Sequence, residues 1–370
     1  MLLALLPAAG FGQSVTGRLA GILTDPHGAA VVNAQIKLVS TDTGREHEAT
    51  TDEIGAFLVT NLEPGQYRLS ANAPGFRTAV VEKVVIQVAT TATVNFSLQL
   101  GPTSETVTVT GEAPLVEAST SEIGAVISGE TTRRLPINGR DFAQLGRLVA
   151  GVTPDSEGGN AAFTVNGQRG SANNFLVDGV DANQPYFQIN ATGPAGTSTP
   201  FASVESIAEF KVQTGQFPAE FGRNAGSVIN VITQAGTNKF HGSLFEFFRN
   251  DALDANNFFT NASGLRRPPL KNNQFGGSLG GPIQRNATFF FFTYEGLRQS
   301  LGTISNGTVP SLAARAAAQA ANSGNPVYLA AVNQIVLPAA PPDPSGLVAN
   351  FTGVSLSDLR EDDFNLRLDH

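Results

Sequence analysis

Two segments near the C-terminal end of the sequence alternate apolar and polar residues with the period of a β-strand. In residues 271–283 the odd positions Phe275, Gly277, Leu279 and Ile283 are mostly apolar, whereas the even positions from 272 to 280 are polar or glycine. In residues 363–370, Phe364, Leu366 and Leu368 alternate with Asp, Asn and Arg. Because successive side chains of a strand point to opposite faces, each segment separates two environments. The pattern indicates either a soluble sandwich with a wet outer face or a membrane barrel with a polar lumen.

The composition favours a mainly β chain. The 370 residues include 39 Gly and 25 Phe, and only 15% are charged, which is a bias toward strands and turns. The net charge of -8 and the lack of a basic run argue against a nucleic-acid partner. With no cysteine, disulfides, thiolate metal sites and cysteine nucleophiles are excluded. No later run approaches the ~20 apolar residues of a spanning helix, so a membrane crossing would use strands.

Residues 1–14 are predicted to be the remnant of a secretory signal peptide. Residues 1–9 are apolar and small residues follow them, but the usual basic residues do not precede them. The alternative is that this segment is the first strand of the domain that follows.

Residues 15–100 are predicted to form an independent β-sandwich of about seven short strands. Turns with Pro and Gly separate segments in which one face is apolar and the other polar. The runs TDEIGAF at 51–57, NLEPGQY at 61–67 and APGF at 73–76 resemble the carboxypeptidase regulatory-like domain. That resemblance implies a transthyretin-like, carbohydrate-binding-like sandwich, and it implies no reaction.

Residues 118–236 are predicted to form a compact α+β domain with long loops. Helical signals and strand signals lie at residues 130–135, 141–149, 175–177, 209–213 and 227–233. Four motifs resemble the plug domain of TonB-dependent outer-membrane receptors: LPINGRDF at 135–142, VNGQR at 165–169, FLVDGVD at 175–181 and FPAEFGR at 217–223. With the sandwich ahead of it, this plug is most similar to that of the Oar-like group.

Residues 237–370 are similar to the opening strands of the Oar-like antiparallel barrel. Four strands are predicted, at residues 240–249, 271–283, 288–297 and 363–370. A long loop is predicted at 298–362, with a helix-like part at 312–321. The continuous run Phe289–Phe292 predicts a strand packed on both sides. Because a closed single-chain barrel needs at least ~8 strands, we expect the chain to be a C-terminally truncated fragment.

The resemblance implies a coupling segment in the linker of residues 101–117. Threonine and valine alternate there, a composition suited to adding as a strand to the sheet edge of a partner. Under the resemblance this is the candidate TonB box, bound by periplasmic TonB and its inner-membrane energising complex. A plain linker or a first strand is the alternative. The segment consists of Glu105, Thr106, Val107, Thr108, Val109, Thr110 and Gly111.

Three arginines of the plug-like region, Arg140, Arg169 and Arg223, are candidate polar contacts between plug and barrel. The alternative for each is an ordinary surface ion pair.

No catalytic, cofactor or metal site is predicted. His47 and Glu48 begin a zinc-peptidase motif, but Thr51 stands where its second histidine belongs. Asp178 and Asp181 supply too few ligands for calcium and are interpreted as turn residues.

The resemblance thus implies a fragment of a plug-gated outer-membrane transporter that is not an enzyme. Its sandwich would lie in the periplasm, its strands would contact outer-membrane lipid, and its ligand would be an unidentified peptide or glycan, taken up or exported. The alternative is a secreted or surface carbohydrate-binding or adhesion protein built of soluble sandwiches. An accessory chain of a peptidase is a weaker third hypothesis.

Overall fold

A computed structural model describes residues 16–103, 105–108, 122–135, 137, 140, 142–154, 163–183, 203–217, 221–222, 225–262, 264–335, 337–338 and 342–370. The signal-peptide prediction therefore lies outside the described residues. The predicted fold class, mainly β with a sandwich, an α+β plug and barrel strands, is confirmed. None of the helices in the described ranges has the length and apolar character needed to cross a membrane.

The chain divides into two compact units. The described residues up to Ser243 form the first unit together with Gly277–Tyr294 and Phe364–His370. The second unit consists of Leu244–Gly276 and Glu295–Asp363.

The sandwich at the start of the first unit has eight short strands, one more than expected. They are β1 (Gly17–Thr24), β2 (Gln35–Ser40), β3 (Glu46–Thr50), β4 (Ala56–Leu62), β5 (Gly65–Asn72), β6 (Thr78–Ile86), β7 (Thr91–Thr93) and β8 (Phe96–Ser97). One sheet has the order β4-β1-β7, with β8 also paired to β1. The other has the order β3-β2-β5-β6 and ends in a further strand, β9 (Thr106–Thr108).

The sandwich core follows directly from the period-two pattern of the sequence. In β5, Tyr67, Leu69 and Ala71 are buried while Gln66 and Arg68 are exposed. Such inward side chains from both sheets form one continuous apolar cluster. Burial of this kind is the dominant favourable contribution to folding, so the sandwich has its own core.

The plug-like region is built on one five-stranded sheet. Its elements are β10 (Ile123–Ser128), α1 (Gly129–Arg134), β11 (Val152–Pro154), β12 (Phe163–Val165), β13 (Asn174–Val177), β14 (Val180–Asp181), β15 (Ile207–Gly215) and β16 (Val228–Thr233). The sheet order is β10-β15-β16-β13-β14, while β11 and β12 form a separate hairpin. Every residue of β16 is buried, as expected for a central strand covered on both faces.

The described part of the plug-like region also contains four short helices. The Ser128 hydroxyl caps α1 by accepting a hydrogen bond from the Thr131 N–H at 3.2 Å. The helical signal at residues 141–149 corresponds to a 3₁₀ helix, Phe142–Leu148. Two further 3₁₀ helices are Gly170–Ala172 and Val204–Ser206.

Four long strands follow the plug, and they pair in chain order. The elements are β17 (His241–Asn250), a 3₁₀ helix (Asp251–Leu253), α2 (Phe258–Ala262), β18 (Leu270–Gln284), β19 (Thr288–Pro310), α3 (Leu312–Ala321), α4 (Pro326–Gln334) and β20 (Val348–Asp369). The helix predicted at residues 312–321 has the bounds of α3.

The predicted loop at residues 298–362 is wrong in its extent. Residues up to Pro310 continue β19, and β20 already begins at Val348. The added parts show no strict alternation of apolar and polar residues, and β19 and β20, to which they belong, are neighbours in the sheet. Hydrogen bonds between neighbouring strands satisfy the backbone N–H and C=O groups whatever the side chains are. A strand can therefore continue where the sequence does not alternate, and the pattern did not predict it.

The alternation predicted at residues 363–370 is present in β20. In β20, Phe364, Leu366 and Leu368 are 61–75% exposed, whereas the residues between them are half-buried. The run Phe289–Phe292 also alternates, contrary to the prediction of packing on both sides: Phe289 and Phe291 are 1% exposed and Phe292 is 40% exposed. β20 therefore presents an apolar face outward over residues 364–368, and Phe292 of β19 is likewise exposed.

Candidate functional site

The candidate coupling segment is paired with the sandwich over its described part. Residues 105–108 are described, whereas Val109, Thr110 and Gly111 lie outside the described residues. β9 runs parallel to β6, with Thr106 opposite Thr78, Val107 opposite Ala79 and Thr108 opposite Val80. The described part of the segment thus contributes an edge strand, β9, to the sandwich sheet.

One further backbone hydrogen bond and two side-chain contacts reinforce this pairing. The Thr78 N–H donates to the Glu105 carbonyl at 3.0 Å, and the Thr78 hydroxyl donates to the Thr103 carbonyl at 3.1 Å. The Arg77 Nε lies 3.0 Å from the Glu105 Oε2, an ion pair in which both side chains are partly exposed. Val107 is half-buried, on the same face as the buried Ala79.

A second junction joins the sandwich to the plug sheet. The Glu209 carboxylate of β15 accepts a hydrogen bond from the Val88 N–H, and the Lys211 ammonium donates to the Ala89 carbonyl at 2.8 Å. The same ammonium lies 2.6 Å from the Glu122 Oε2. Burial raises the pKa of Glu209 to about 7, although the Val88 N–H and the Lys211 charge act in the opposite direction. A sandwich turn is therefore held by a largely buried group of charges.

A third junction joins the plug to the first long strand. The Arg140 guanidinium and the Glu205 carboxylate form a 3.0 Å ion pair in which both side chains are 7% exposed. The other Glu205 oxygen accepts a hydrogen bond at 2.6 Å from the Ser243 hydroxyl of β17. The Ser243 hydroxyl also lies 2.9 Å from that of Ser278 in β18. A buried ion pair of the plug thus contacts the polar side of the strands.

A fourth junction joins the plug to the last strand. The Arg367 guanidinium of β20 donates to the Thr233 carbonyl at 2.7 Å and lies 3.7 Å from the Asp178 carboxylate. Asp178 accepts from the Thr233 N–H at 2.9 Å and from its hydroxyl at 2.6 Å. Asp178 and Gly179 both have positive φ and form the two-residue turn between β13 and β14. Asp178 therefore serves both the turn and the contact with β20.

The other two candidate arginines lie elsewhere. Arg169 is exposed at the start of the 3₁₀ helix Gly170–Ala172, and Arg223 lies outside the described residues. Sequence reasoning missed Glu205, Glu209 and Arg367. The available signal for Arg367 was its place on the polar side of an alternating strand, which in a plugged barrel faces the plug.

The described residues contain no group of three or more His, Cys, Asp or Glu side chains that could hold a metal ion. Asp181 accepts from the Asn183 N–H at 2.9 Å and from the Asn183 side chain at 2.7 Å. Asp178 and Asp181 thus act in local capping, as a turn requires.

Three family models match consecutive regions of the chain. Residues 18–99 match the carboxypeptidase regulatory-like domain. Residues 117–229 match the TonB-dependent receptor plug domain. Residues 232–370 match the outer membrane beta barrel domain. The recognition of these three domains from sequence motifs is confirmed.

One curated protein and two solved structures are also similar to parts of the chain. The chain is 28% identical over 298 residues to the TonB-dependent transporter Oar of Myxococcus xanthus, covering 77% of this chain and 27% of the relative. It therefore spans about a quarter of that relative's length. Among solved structures, it is similar to the outer membrane transporter YddB from Escherichia coli (16% identity, TM-score 0.39, 65% of this chain and 30% of that one). It is also similar to the siderophore receptor PirA from Acinetobacter baumannii (21% identity, TM-score 0.34, 50% of this chain and 28% of that one).

Proposed function

We propose that this chain, in which a carboxypeptidase regulatory-like domain, a TonB-dependent receptor plug domain and strands of an outer membrane beta barrel domain follow one another, forms part of a plug-gated outer-membrane transporter. In this function the plug closes the lumen, and its movement opens a path for a ligand. No bond of the ligand is made or broken, so the chain is not an enzyme.

One observation carries this proposal: the plug is bound to the polar side of strands whose other side is apolar and exposed. Arg367 of β20 contacts the plug at Thr233, while its neighbours Leu366 and Leu368 are more than half exposed. Exposed apolar residues at alternate positions are typical of a lipid-facing barrel strand. A secreted soluble sandwich would cover such a face, which disfavours the adhesion alternative.

Periplasmic TonB is the proposed partner that moves the plug. The segment of residues 105–111 precedes the plug, so a pull on this segment is transmitted along the chain to β10. TonB would bind the segment by strand addition, using backbone hydrogen bonds and the alternate valines. This assignment places the sandwich in the periplasm. For the transported ligand, peptides and glycans are the classes we propose to test first.

The partner assignment is tested by replacing residues 105–111 with a Gly/Ser segment of equal length. Binding of the chain, in detergent, to the soluble periplasmic domain of TonB should weaken by at least about tenfold, because Gly and Ser are poor strand formers. The matched control replaces the last six residues of the same linker, 112–117, and should bind as the wild type does. Equal binding by all three proteins would refute the assignment of the TonB box.

A further inference from the structure

The described half of the coupling segment is already engaged as a strand. In β9 the backbone pairs with β6 over three consecutive register positions, and the Glu105 carbonyl accepts the Thr78 N–H. Strand addition by another protein needs an unpaired strand edge and access to alternate side chains. The sandwich occupies one backbone edge of this segment.

The side chain that a partner would recognise is also engaged. Val107 lies on the face of the sheet that carries Ala79, which is 2% exposed and belongs to the sandwich core. Of the described residues of the segment, Val107 is the one with an apolar side chain. Thr106 and Thr108, which are exposed, offer less apolar surface for specific recognition. Binding through Val107 therefore requires that β9 leave β6.

The contacts that hold β9 on β6 are weak enough for a competing protein to replace them. The pairing is three residues long, the Arg77–Glu105 ion pair is partly exposed, and the Thr78 hydroxyl makes one hydrogen bond to the Thr103 carbonyl. Exposed ion pairs and single hydrogen bonds each contribute little to stability. The segment is thus held reversibly.

We propose that the carboxypeptidase regulatory-like sandwich sequesters the coupling segment, and that the β6 edge and TonB compete for the same strand. This inference rests on the proposed function, because it takes TonB as the partner. The sandwich then acts as a gate on energisation: the transporter is coupled only in molecules in which β9 has been released. Any event that weakens the pairing of β9 with residues 78–80 of β6 raises the fraction of coupled molecules.

A reversible lock tests the competition. Thr78 and Thr106 are register partners on one face, and neighbouring strands lie about 4.8 Å apart, within the range that a disulfide spans. The chain contains no cysteine, so T78C/T106C introduces a single possible bond. The oxidised variant should bind the periplasmic domain of TonB at least about tenfold more weakly than the same protein after reduction. The two single-cysteine variants should not respond to reductant.

A release variant tests the same claim without a crosslink. R77Q/T78V removes the Glu105 ion pair and the hydroxyl bond to Thr103 and leaves residues 105–111 unchanged. TonB binding should tighten by roughly five- to thirtyfold, because the variant loses the combined free energy of one hydrogen bond and one exposed ion pair that hold β9 on β6. The matched control is R68Q, which breaks the exposed Arg68–Glu82 pair of the same sheet and leaves β9 untouched. It should bind as the wild type does.

The outcomes separate this inference from the proposed function. If the wild type binds TonB but oxidation of T78C/T106C has no effect, TonB adds to the outer edge of β9; sequestration is then wrong and the proposed function stands. If R77Q/T78V binds no more tightly than R68Q, sequestration is likewise overturned. If the wild type does not bind TonB at all, the proposed partner fails and the competition fails with it.

Discussion

Individual buried charges join the parts of the first unit. Glu205 is 5% exposed and Glu209 is 9% exposed, and each contacts a residue from a different element. Burying a carboxylate is costly unless a cation or hydrogen-bond donors compensate it. Arg140 and Ser243 provide that compensation for Glu205. For Glu209, the Val88 N–H and Lys211 offset the cost of burial only in part, since its pKa remains raised. Loss of one partner should therefore cost more than loss of a surface pair.

The variant R140Q tests this expectation. Removing the guanidinium leaves Glu205 buried without its cation, which should destabilise the plug by about 3 kcal/mol. Backbone amide hydrogens of β15 and β16 that exchange only when the plug domain unfolds should then exchange about 100-fold faster. R134Q, which breaks the exposed Glu130–Arg134 pair, is the control and should change exchange less than about threefold. Equal effects of the two variants would contradict the role given to Arg140.

At the scale of elements, period-two patterning made the sandwich and the long strands predictable. The alternation of apolar and polar residues along a strand is visible in the local sequence. The outward face of β20 could therefore be predicted without knowing which distant residues it contacts. Three of the missed strands are β10, β11 and β12. β11 and β12 have only three residues each, too few for a period to be recognised, whereas β10 has six residues and was missed all the same.

The junctions could not be predicted, because each joins residues that are far apart in the sequence. Arg140 and Glu205 are 65 residues apart, and Arg367 and Thr233 are 134 apart. Neither Glu205 nor Glu209 belongs to a motif, and their burial depends on the elements that pack over them. The pairing of β9 with β6 was likewise hidden, since a linker, a first strand and an added strand share one composition.

The junction between the Val88 turn and β15 should make stability depend on pH. The pKa of Glu209 is raised from an ordinary value of 4.5 to about 7, so the folded state binds the proton more tightly than the unfolded state. Its contribution is fully present below about pH 4.5 and is lost as the pH rises to about 7. The free energy of unfolding should therefore fall by about 3 kcal/mol across this range.

Comparison of the wild type with E209Q isolates this effect. The amide cannot titrate but keeps an oxygen that can accept the Val88 N–H. Urea unfolding followed by far-UV circular dichroism should show the wild type losing stability relative to E209Q between pH 5 and pH 8. Parallel pH profiles for the two proteins would show that Glu209 does not titrate in this range.

At the scale of the whole molecule, the three domains have separate tasks in one proposed mechanism. The sandwich holds the coupling segment, the plug follows it in the chain, and the strands bind the plug through their polar side. The outer-membrane location agrees with the family matches and with the exposed apolar faces, such as Leu244 at 93% and Phe364 at 75%. The mechanism thus depends on lipid covering those faces.

Site-directed spin labelling of residues 364–369 tests that claim most directly. Each position in turn is changed to cysteine in this cysteine-free chain and labelled with a nitroxide. The accessibility of the nitroxide to oxygen and to a water-soluble nickel reagent is then measured in isolated outer membranes. We expect oxygen accessibility to peak at positions 364, 366 and 368 and to be low at the positions between them. Nickel accessibility that exceeds oxygen accessibility at positions 364, 366 and 368 would contradict a lipid-facing strand.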